Sequence, residues 1–584
     1  MSRKRQRQFV ALVLLTALSA IAEVVSLGSV IPFLSILLSP EKILHHPWTK
    51  GFIEEFGISS TGQLVLPITL AFASLALLAG TVRLLLLWAT TKYAFVIGGD
   101  ISADVYRRSL YQPYRVHLSR NSSEVISGIV NKVNGVVSLT ILPSLTLISS
   151  VILVVALSLT LLYIDRLISI AALVGFGVTY GFISIISRHR LKENARRMSE
   201  SETKVIRTLQ EGLGGIRDII LDGSQDIYCL QFSQADRTLR KTYASNVFIG
   251  GSPRYLVESV GIVLIALLAY TLSQDSKGIQ EALPILGAFA LGAQRLLPAL
   301  QNIFSSWASI TAGRVSLSET IFLLDQPLGG SATFTPRPSL RFAKSVELHE
   351  VYFRYSDSGS WILNGLSFRL EKGSRIGIIG ASGGGKSTAL DVFMGLLIPQ
   401  KGELLIDGEP CVDGQVREWQ KLIAHVPQMI YLFDATIAEN IALGVPPELI
   451  DINRVRAVCQ KAGIADFIEK SPSGYWSTVG ERGVRLSGGQ RQRVGIARAL
   501  YKQASVLVFD EATSALDQYT ETSVINALDD LDRDLTIIMV AHRMTTLSRC
   551  DRIIEIKSGR VIRTGAYTDL CISNPHLGSQ SLER

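Results

Sequence analysis

Leu486-Ser487-Gly488-Gly489-Gln490 decides the reading of this chain, because of what stands on either side of it. Upstream, the apolar run Ile376-Gly377-Ile378-Ile379 leads into Gly380-Ala381-Ser382-Gly383-Gly384-Gly385-Lys386-Ser387-Thr388. Downstream, Val506-Leu507-Val508-Phe509 ends in Asp510-Glu511. A strand that enters a glycine-rich loop and then a helix presents a ring of backbone N–H groups to a phosphate. Lys386 is expected to neutralise terminal phosphate charge, and the Ser387 hydroxyl to ligate Mg²⁺. Asp510 is expected to hold that Mg²⁺ through its water shell, and Glu511 to polarise an attacking water as general base. An acidic pair at a strand end also serves as a helix cap, but beside such a loop it completes a site for ATP hydrolysis.

Composition shows that this site is not the whole protein. The chain has 584 residues, enough for two or more domains, and is 47% hydrophobic with only 18% charged. Soluble proteins average about 25% charged residues, so apolar surface must be going somewhere other than a globular core. The net charge of +8 fits a membrane protein with basic cytoplasmic loops, and nucleic acid is not an expected partner. The five cysteines, Cys229, Cys411, Cys459, Cys550 and Cys571, show no CxxC spacing and read as free thiols.

Crossing a bilayer takes roughly 20 apolar residues. Six such runs are expected to be transmembrane helices, at about 9–38, 64–97, 136–164, 167–186, 247–272 and 283–310. Lysine and arginine set their direction. The tail with Arg3, Lys4, Arg5 and Arg7 is basic, as are the connections holding Arg107, Arg108, Arg115 and Arg120 and holding Arg188, Arg190, Lys192, Arg196 and Arg197. The alternate connections lack that excess, which puts both termini in the cytosol, where ATP is. The N-terminus also has the outline of a secretory signal, but hydrophobicity continues well past Ser19-Ala20-Ile21-Ala22, and a first membrane helix is preferred. Short helices are expected at Pro113–His117 and Gly214–Ile220 in the two inner connections, and at Trp48–Phe56 in the outer interface. The expected domains are a membrane domain over 1–326, a linker rich in Gly, Ser, Pro and Thr over 327–344, and an α/β P-loop ATPase domain over 345–584.

With these motifs in this order, the chain resembles the ABC superfamily, and within it the half-size exporters that fuse six membrane helices to one ATPase domain. The resemblance covers nearly the whole chain. It implies that Tyr355 stacks on adenine, that Gln428 in His425-Val426-Pro427-Gln428 senses Mg²⁺ and the membrane domain, and that His542 contacts the γ-phosphate. It implies that Asp517, in Ser514-Ala515-Leu516-Asp517, lies in a loop crossing between subunits. Glu481 sits where such exporters meet their coupling helices. Ser487, Gly488, Gly489 and Gln490 are implied to close the γ-phosphate from a second subunit, so two chains are needed. Both halves of the site are intact, which makes a homodimer the simple expectation; a heterodimer is the other arrangement. The location implied is the bacterial inner membrane.

Arg83, Arg254 and Arg295 lie within or at the ends of apolar runs. A lipid-facing arginine at the bilayer centre costs roughly 2.5–3.5 kcal/mol, so cavity-facing or paired positions are favoured. Arg254 has Glu258 one turn on, whereas Arg295 has no carboxylate near it in sequence. Cations in a half-apolar cavity suit an anionic head group whose tail stays in lipid. The runs Ser252–Glu258 and Gln294–Leu300 also resemble the branch containing lipid-linked oligosaccharide flippases. The expected activity is thus ATP-driven flipping of a polyprenyl-pyrophosphate-linked glycan or related glycolipid. A lipid or multidrug exporter of the same architecture is the nearest rival. A peptide exporter is disfavoured because no peptidase domain precedes the spans, and a soluble ATPase is disfavoured by the spans themselves.

Overall fold

The computed structural model describes residues 3–38, 61–273, 279–326, 340–511, 534–541 and 544–572. These form two compact units, one of residues 1–110 and 120–327 and one of 111–119 and 328–584.

The first unit is all helix. Its elements are α1 (Arg3–Gly28), α2 (Val30–Leu38) and α3 (Thr61–Leu110), then α5 (Ser122–Ile164), which follows the short α4 (Tyr114–Ser119) of the other unit. After these come α6 (Arg166–Gly214), α7 (Ile216–Leu221), α8 (Gln225–Gly251), α9 (Pro253–Ser273), α10 (Ile279–Ala312) and α11 (Arg314–Leu324). Among the described residues, four helices are long and apolar enough to cross a membrane: Arg3–Leu34, Val65–Leu110, Ser122–Ile164 and Arg166–Gly214. Helices α9 and α10 overlap the fifth and sixth expected runs. Val178, Phe182 and Ile185 sit exposed on the outside, while Leu27, Leu157, Phe176, Val257, Phe289 and Leu296 pack within. Outward-facing aliphatic side chains on helices whose backbone groups are internally bonded are what lipid as solvent demands.

Proline and aspartate set the breaks. The fifth run, expected as one span over 247–272, is divided between α8 and α9, because Pro253 has no N–H to give and its ring clashes with the carbonyl four residues back. The first run is interrupted at Ser29, three residues before Pro32, though Ser29 still donates to the Val25 carbonyl at 3.0 Å. Asp165 starts α6 from extended backbone, its carboxylate accepting the Ile168 N–H at 3.1 Å.

The second unit is α/β. Strands β1 (Ser345–Phe353), β2 (Leu363–Glu371), β4 (Lys401–Ile406) and β5 (Glu409–Pro410) form an antiparallel sheet ordered β2-β1-β4-β5. The larger sheet holds β3 (Arg375–Ile379), β6 (Ile423–Val426), β7 (Val506–Asp510), β8 (Thr536–Val540), β9 (Arg552–Lys557) and β10 (Arg560–Gly565), in the order β10-β9-β3-β8-β7-β6. All its neighbours run parallel except β9 and β10. The buried pattern of β3, β7 and β8, with almost no polar interruption, is that of strands covered on both faces.

The segment Tyr111–Ser119, which lies inside the 1–326 membrane domain expected from sequence, packs with this second unit. Its α4 is the short helix expected at Pro113–His117. Arg115 donates through Nη2 to the Tyr355 carbonyl at 3.0 Å and faces the Asp357 carboxylate at 3.5 Å. The guanidinium of Arg417 lies 5.9 Å from the centre of the Tyr111 ring. The second short helix is α7, entered at Gly215, with Ile216, Ile220 and Leu221 all exposed. The outer segment Trp48–Phe56 and the linker residues 327–339 lie outside the described residues.

Candidate functional site: a nucleotide site and a buried ionic cluster

In a parallel sheet, loops at the carboxyl ends of the strands form the binding crevice. The loop of residues 380–385 leaves β3 there and enters α12 (Lys386–Phe393). Two of its glycines are obligatory. At Gly380 a Cβ would stand 2.1 Å from the Ile556 carbonyl oxygen, and Gly385 begins the helix from φ +99°, in the left-handed region. Lys386 is buried, with its ammonium donating to the carbonyls of Gly380 at 2.8 Å and Ala381 at 3.1 Å, so the charge is held within the curl of the loop. Ser382, Gly383 and Ser387 are exposed at the mouth, whereas Gly384 and Thr388 are buried.

Strand β8 lies between β3 and β7, which sets the acidic end of β7 one strand away from the loop. The distance is bridged by side chains. The Ser387 hydroxyl donates to Asp510, whose carboxyl is raised by burial and then by Glu511 beside it, and pulled back by Ser387 and Lys386. Asp391, on the first turns of α12, is pushed up to about 6 by burial and by Asp510. Glu511 adopts φ +52°, a left-handed conformation that costs a non-glycine residue on the order of 1 kcal/mol or more. Its N–H donates to the Val540 carbonyl at 3.0 Å, and its Oε2 accepts from Nε2 of Gln428 at 2.7 Å. The glutamine and the candidate base are thus in direct contact. His425, three residues before Gln428, is pushed down to about 4 by burial and stays neutral at physiological pH.

Tyr355 is half-exposed beside the loop, edge-on to Phe353 with centroids 5.1 Å apart. Its hydroxyl lies 3.2 Å from Oγ1 of Thr388, which ties the ring to the start of α12. After α13 (Asp413–Lys421), α14 (Ile437–Ile441), α15 (Ile452–Lys461) and α16 (Ala465–Glu469), Ser487 caps α17 (Gly488–Tyr501) in a reciprocal box: its hydroxyl accepts the Gln490 N–H at 3.3 Å, and its own N–H donates to Oε1 of Gln490 at 2.8 Å. Ser487 and Gly488 are exposed, with Gly489 and Gln490 half-buried. Glu481 is exposed at the start of a single 3₁₀ turn, Glu481–Gly483. His542 and Asp517 lie outside the described residues.

Sequence inspection missed Asn440 and Arg498. Asn440 is almost wholly buried and bonds the segment after Gln428 through both its amide atoms, while Arg498 of α17 donates to the carbonyls of Asn440 at 2.8 Å and Tyr431 at 3.0 Å. The glutamine loop is thereby fastened to the helix that Ser487 caps. Only the capping box Thr436–Glu439 just before Asn440 hinted at an ordered turn there.

In the helical unit the three arginines separate. Arg295 donates through Nη1 to Oε1 of Glu23, on α1, at 3.1 Å, and Arg83 approaches the same oxygen at 3.8 Å. Glu23 has 3% of its side chain exposed, against 35% for Arg295 and 50% for Arg83. The carboxylate that Arg295 lacks in its own sequence neighbourhood therefore comes from the first helix, 272 residues away. Arg254 instead bonds Glu258 at 2.6 Å along its own helix, with both side chains well exposed.

A P-loop sheet with its acidic strand end, on a chain whose other half is lipid-facing helix, defines an integral-membrane ATPase. Comparison with known proteins narrows the class. The family description "ABC transporter transmembrane region" matches residues 9–278, and "ABC transporter" matches residues 363–514. The chain is 30% identical over 408 residues to the "ATP-dependent lipid A-core flippase" of Alkalilimnicola ehrlichii, covering 69% of this chain and 68% of that one. It is 30% identical over 479 residues to the protein of the same name from Saccharophagus degradans, covering 81% and 79%. The fold matches the solved structure of a bacterial Atm1-family ABC exporter with ATP bound, with a TM-score of 0.79, 24% identity and 99% of both chains covered. The chain belongs to the ABC transporter family, has the half-size exporter fold, and couples ATP hydrolysis to transport.

Proposed function

We propose that the protein flips an anionic lipid-linked substrate, a polyprenyl-pyrophosphate-linked oligosaccharide or related glycolipid, from the cytoplasmic to the outer leaflet of a bacterial inner membrane. The observation that carries this is the cluster of Arg83 and Arg295 about one carboxylate, which leaves a cation in excess inside a membrane unit among the described residues. Arg83, Thr16, Thr146 and Ser149 line a cavity of ≈ 400 Å³. The three hydroxyls donate to carbonyls of their own helices, at 2.8–3.0 Å, so their lone pairs remain to accept from a ligand. A phosphate beside Arg83 and sugar hydroxyls beside those oxygens is the head group such a lining suits. The curated relatives named for a lipid substrate support lipid as the class. Arg254, spent on Glu258 at the surface, is assigned a structural role.

Two copies carry out the ATPase cycle in this proposal. Ser387, Gln428 and Asp510 offer only hard oxygen donors in a site with excess negative charge, which suits Mg²⁺. Glu511 takes a proton from water as the water oxygen bonds the γ-phosphorus and the bond to ADP breaks. The exposed Ser487 end of α17 faces the γ-phosphate bound by the partner copy.

The test is transport in proteoliposomes carrying a fluorescent polyprenyl-diphosphate glycan. Wild type is expected to move it in the presence of ATP, and the Arg83→Ala/Arg295→Ala variant to lose movement while still binding ATP. Undiminished flipping by that variant would remove the cationic cluster from substrate handling.

A further inference from the structure

We propose that Glu23 is an internal competitor for the transported anion: bonded to Arg295 throughout, it holds Arg83 at rest, yields it to the arriving head group, and displaces that group when Arg83 returns. This rests on the anionic-lipid reading above and goes beyond it by giving the cluster's carboxylate an active part in release.

The geometry separates the two arginines. Arg295, at hydrogen-bond distance, is the carboxylate's bonded partner, and both are largely withdrawn from the surface. Arg83 stands at 3.8 Å from the same oxygen, too long for a hydrogen bond, and half of its side chain is open. Glu23 therefore neutralises one guanidinium and only attracts the other. A phosphate entering the cavity meets an accessible cation with a like charge behind it. In a low-dielectric site that like charge weakens the anion's binding strongly, because Coulomb energy scales inversely with the dielectric. Weak binding is an advantage here. A transporter must release what it carries, and a site of two uncompensated arginines would hold a pyrophosphate too long, as ion pathways show when binding outlasts transit.

Glu23 is also the member best placed to serve the arginines without leaving. It is the most buried of the three, and its helix α1 packs against both α3, which carries Arg83, and α10, which carries Arg295. A buried carboxylate bonded to one arginine keeps its position while the looser pair opens.

The experiment compares wild type, Glu23→Gln, Arg295→Gln and the double variant Glu23→Gln/Arg295→Gln in proteoliposomes, using polyprenyl monophosphate and polyprenyl diphosphate lipids as probes. Binding is read by native mass spectrometry, transport by a flipping assay with variable lipid, and folding by thermal unfolding. Removing the carboxylate charge is expected to lower the half-saturating diphosphate lipid concentration on the order of tenfold. Maximal flipping should fall by about threefold or more, since release becomes slow. A merely structural carboxylate predicts the reverse, weaker binding with no tighter-but-slower split. If Glu23→Gln does not fold, the double variant should bind the diphosphate lipid about tenfold more tightly than Arg295→Gln, in which the carboxylate is left to Arg83 alone. Half-saturation in Glu23→Gln equal to or above wild type, or in the double variant equal to or above Arg295→Gln, overturns the inference. Failure of wild type to bind either lipid overturns the anionic-lipid reading itself, and this inference with it.

Discussion

Replacing Asn440 by alanine tests how the glutamine loop is held. The Asn440 Oδ1 accepts the Phe433 N–H at 2.9 Å and Nη2 of Arg498 at 3.2 Å, and its Nδ2 donates to the carbonyls of Phe433 and Thr436, both at 3.0 Å. Not all these groups are stranded by the change. The Thr436 carbonyl keeps the Asn440 N–H, the Phe433 carbonyl keeps the Ala435 N–H, and Arg498 keeps two backbone carbonyls. The Phe433 N–H loses its Oδ1 acceptor, which costs about 1–3 kcal/mol if it stays buried, and the weakened bonds add about 1 kcal/mol. A total near 3 kcal/mol in a unit of this size lowers the melting temperature by roughly 6–12 °C. The loop can avoid part of that by opening to water, and Gln428 then drifts from Glu511. The ATPase rate should therefore fall while ATP affinity, which depends on residues 380–388, changes little. Asn440→Asp keeps the accepting oxygen for Phe433 and Arg498 but turns lone pairs towards two carbonyls, so its loss should be smaller. Thermal unfolding of the detergent-solubilised chain, ATPase rate and nucleotide binding measure the three quantities. An alanine variant melting within 1 °C of wild type with full ATPase activity would show that the loop is held by something else.

Glu511→Gln keeps a partner for Gln428, so the site should bind ATP normally while turnover falls by roughly 10²–10⁴-fold, the range for loss of a general base. A loss below tenfold would take that role from Glu511. Asp391 is held near 6, above its unfolded value near 4, so the folded state binds the extra proton between those values and stability drops as pH rises through that window. Asp391→Asn should therefore raise the melting temperature at pH 8 and leave it unchanged at about pH 4; after screening, the gain is on the order of 1 kcal/mol. Equal melting shifts at both pH values would refute it. Burial pushes the thiols of Cys459 and Cys550 up to about 12, and Cys411 to about 11, whereas Cys229 is exposed. At pH 8 an alkylating reagent should label Cys229 first and the buried pair only on unfolding, as peptide mass spectrometry would reveal.

The elements that can be read directly are those whose chemistry is local in sequence. Residues 380–388 carry their own instructions, since the glycines, lysine and serine are contiguous and the left-handed start at Gly385 follows from residue type. Long apolar runs are likewise local, and α3, α5 and α6 follow from them, although their extensions carry polar residues that hide the helix ends. The break at Pro253 is visible in the sequence, but an apolar count treats proline as neutral and runs straight through it. What cannot be read are partnerships across the chain. Arg295 and Glu23 are separated by 272 residues, Arg498 and Asn440 by 58, and Arg115 reaches across 240 residues to Tyr355. No spacing rule connects such pairs.

The same limit explains why the arginines are legible as a problem before they are legible as a site. A charge inside an apolar run must be paired or face a cavity. Sequence supplies that necessity for Arg83, Arg254 and Arg295 alike, and only for Arg254 does it also supply the partner, one helical turn away. The fold answers the other two with a single carboxylate, so among the described residues one positive charge is left without its own counter-ion beside the ≈ 400 Å³ cavity. A purely structural solution would match charges one to one, as Arg254 and Glu258 do. The unequal count, with the more open arginine as the unmatched one, is the feature that points from stability to an anionic guest.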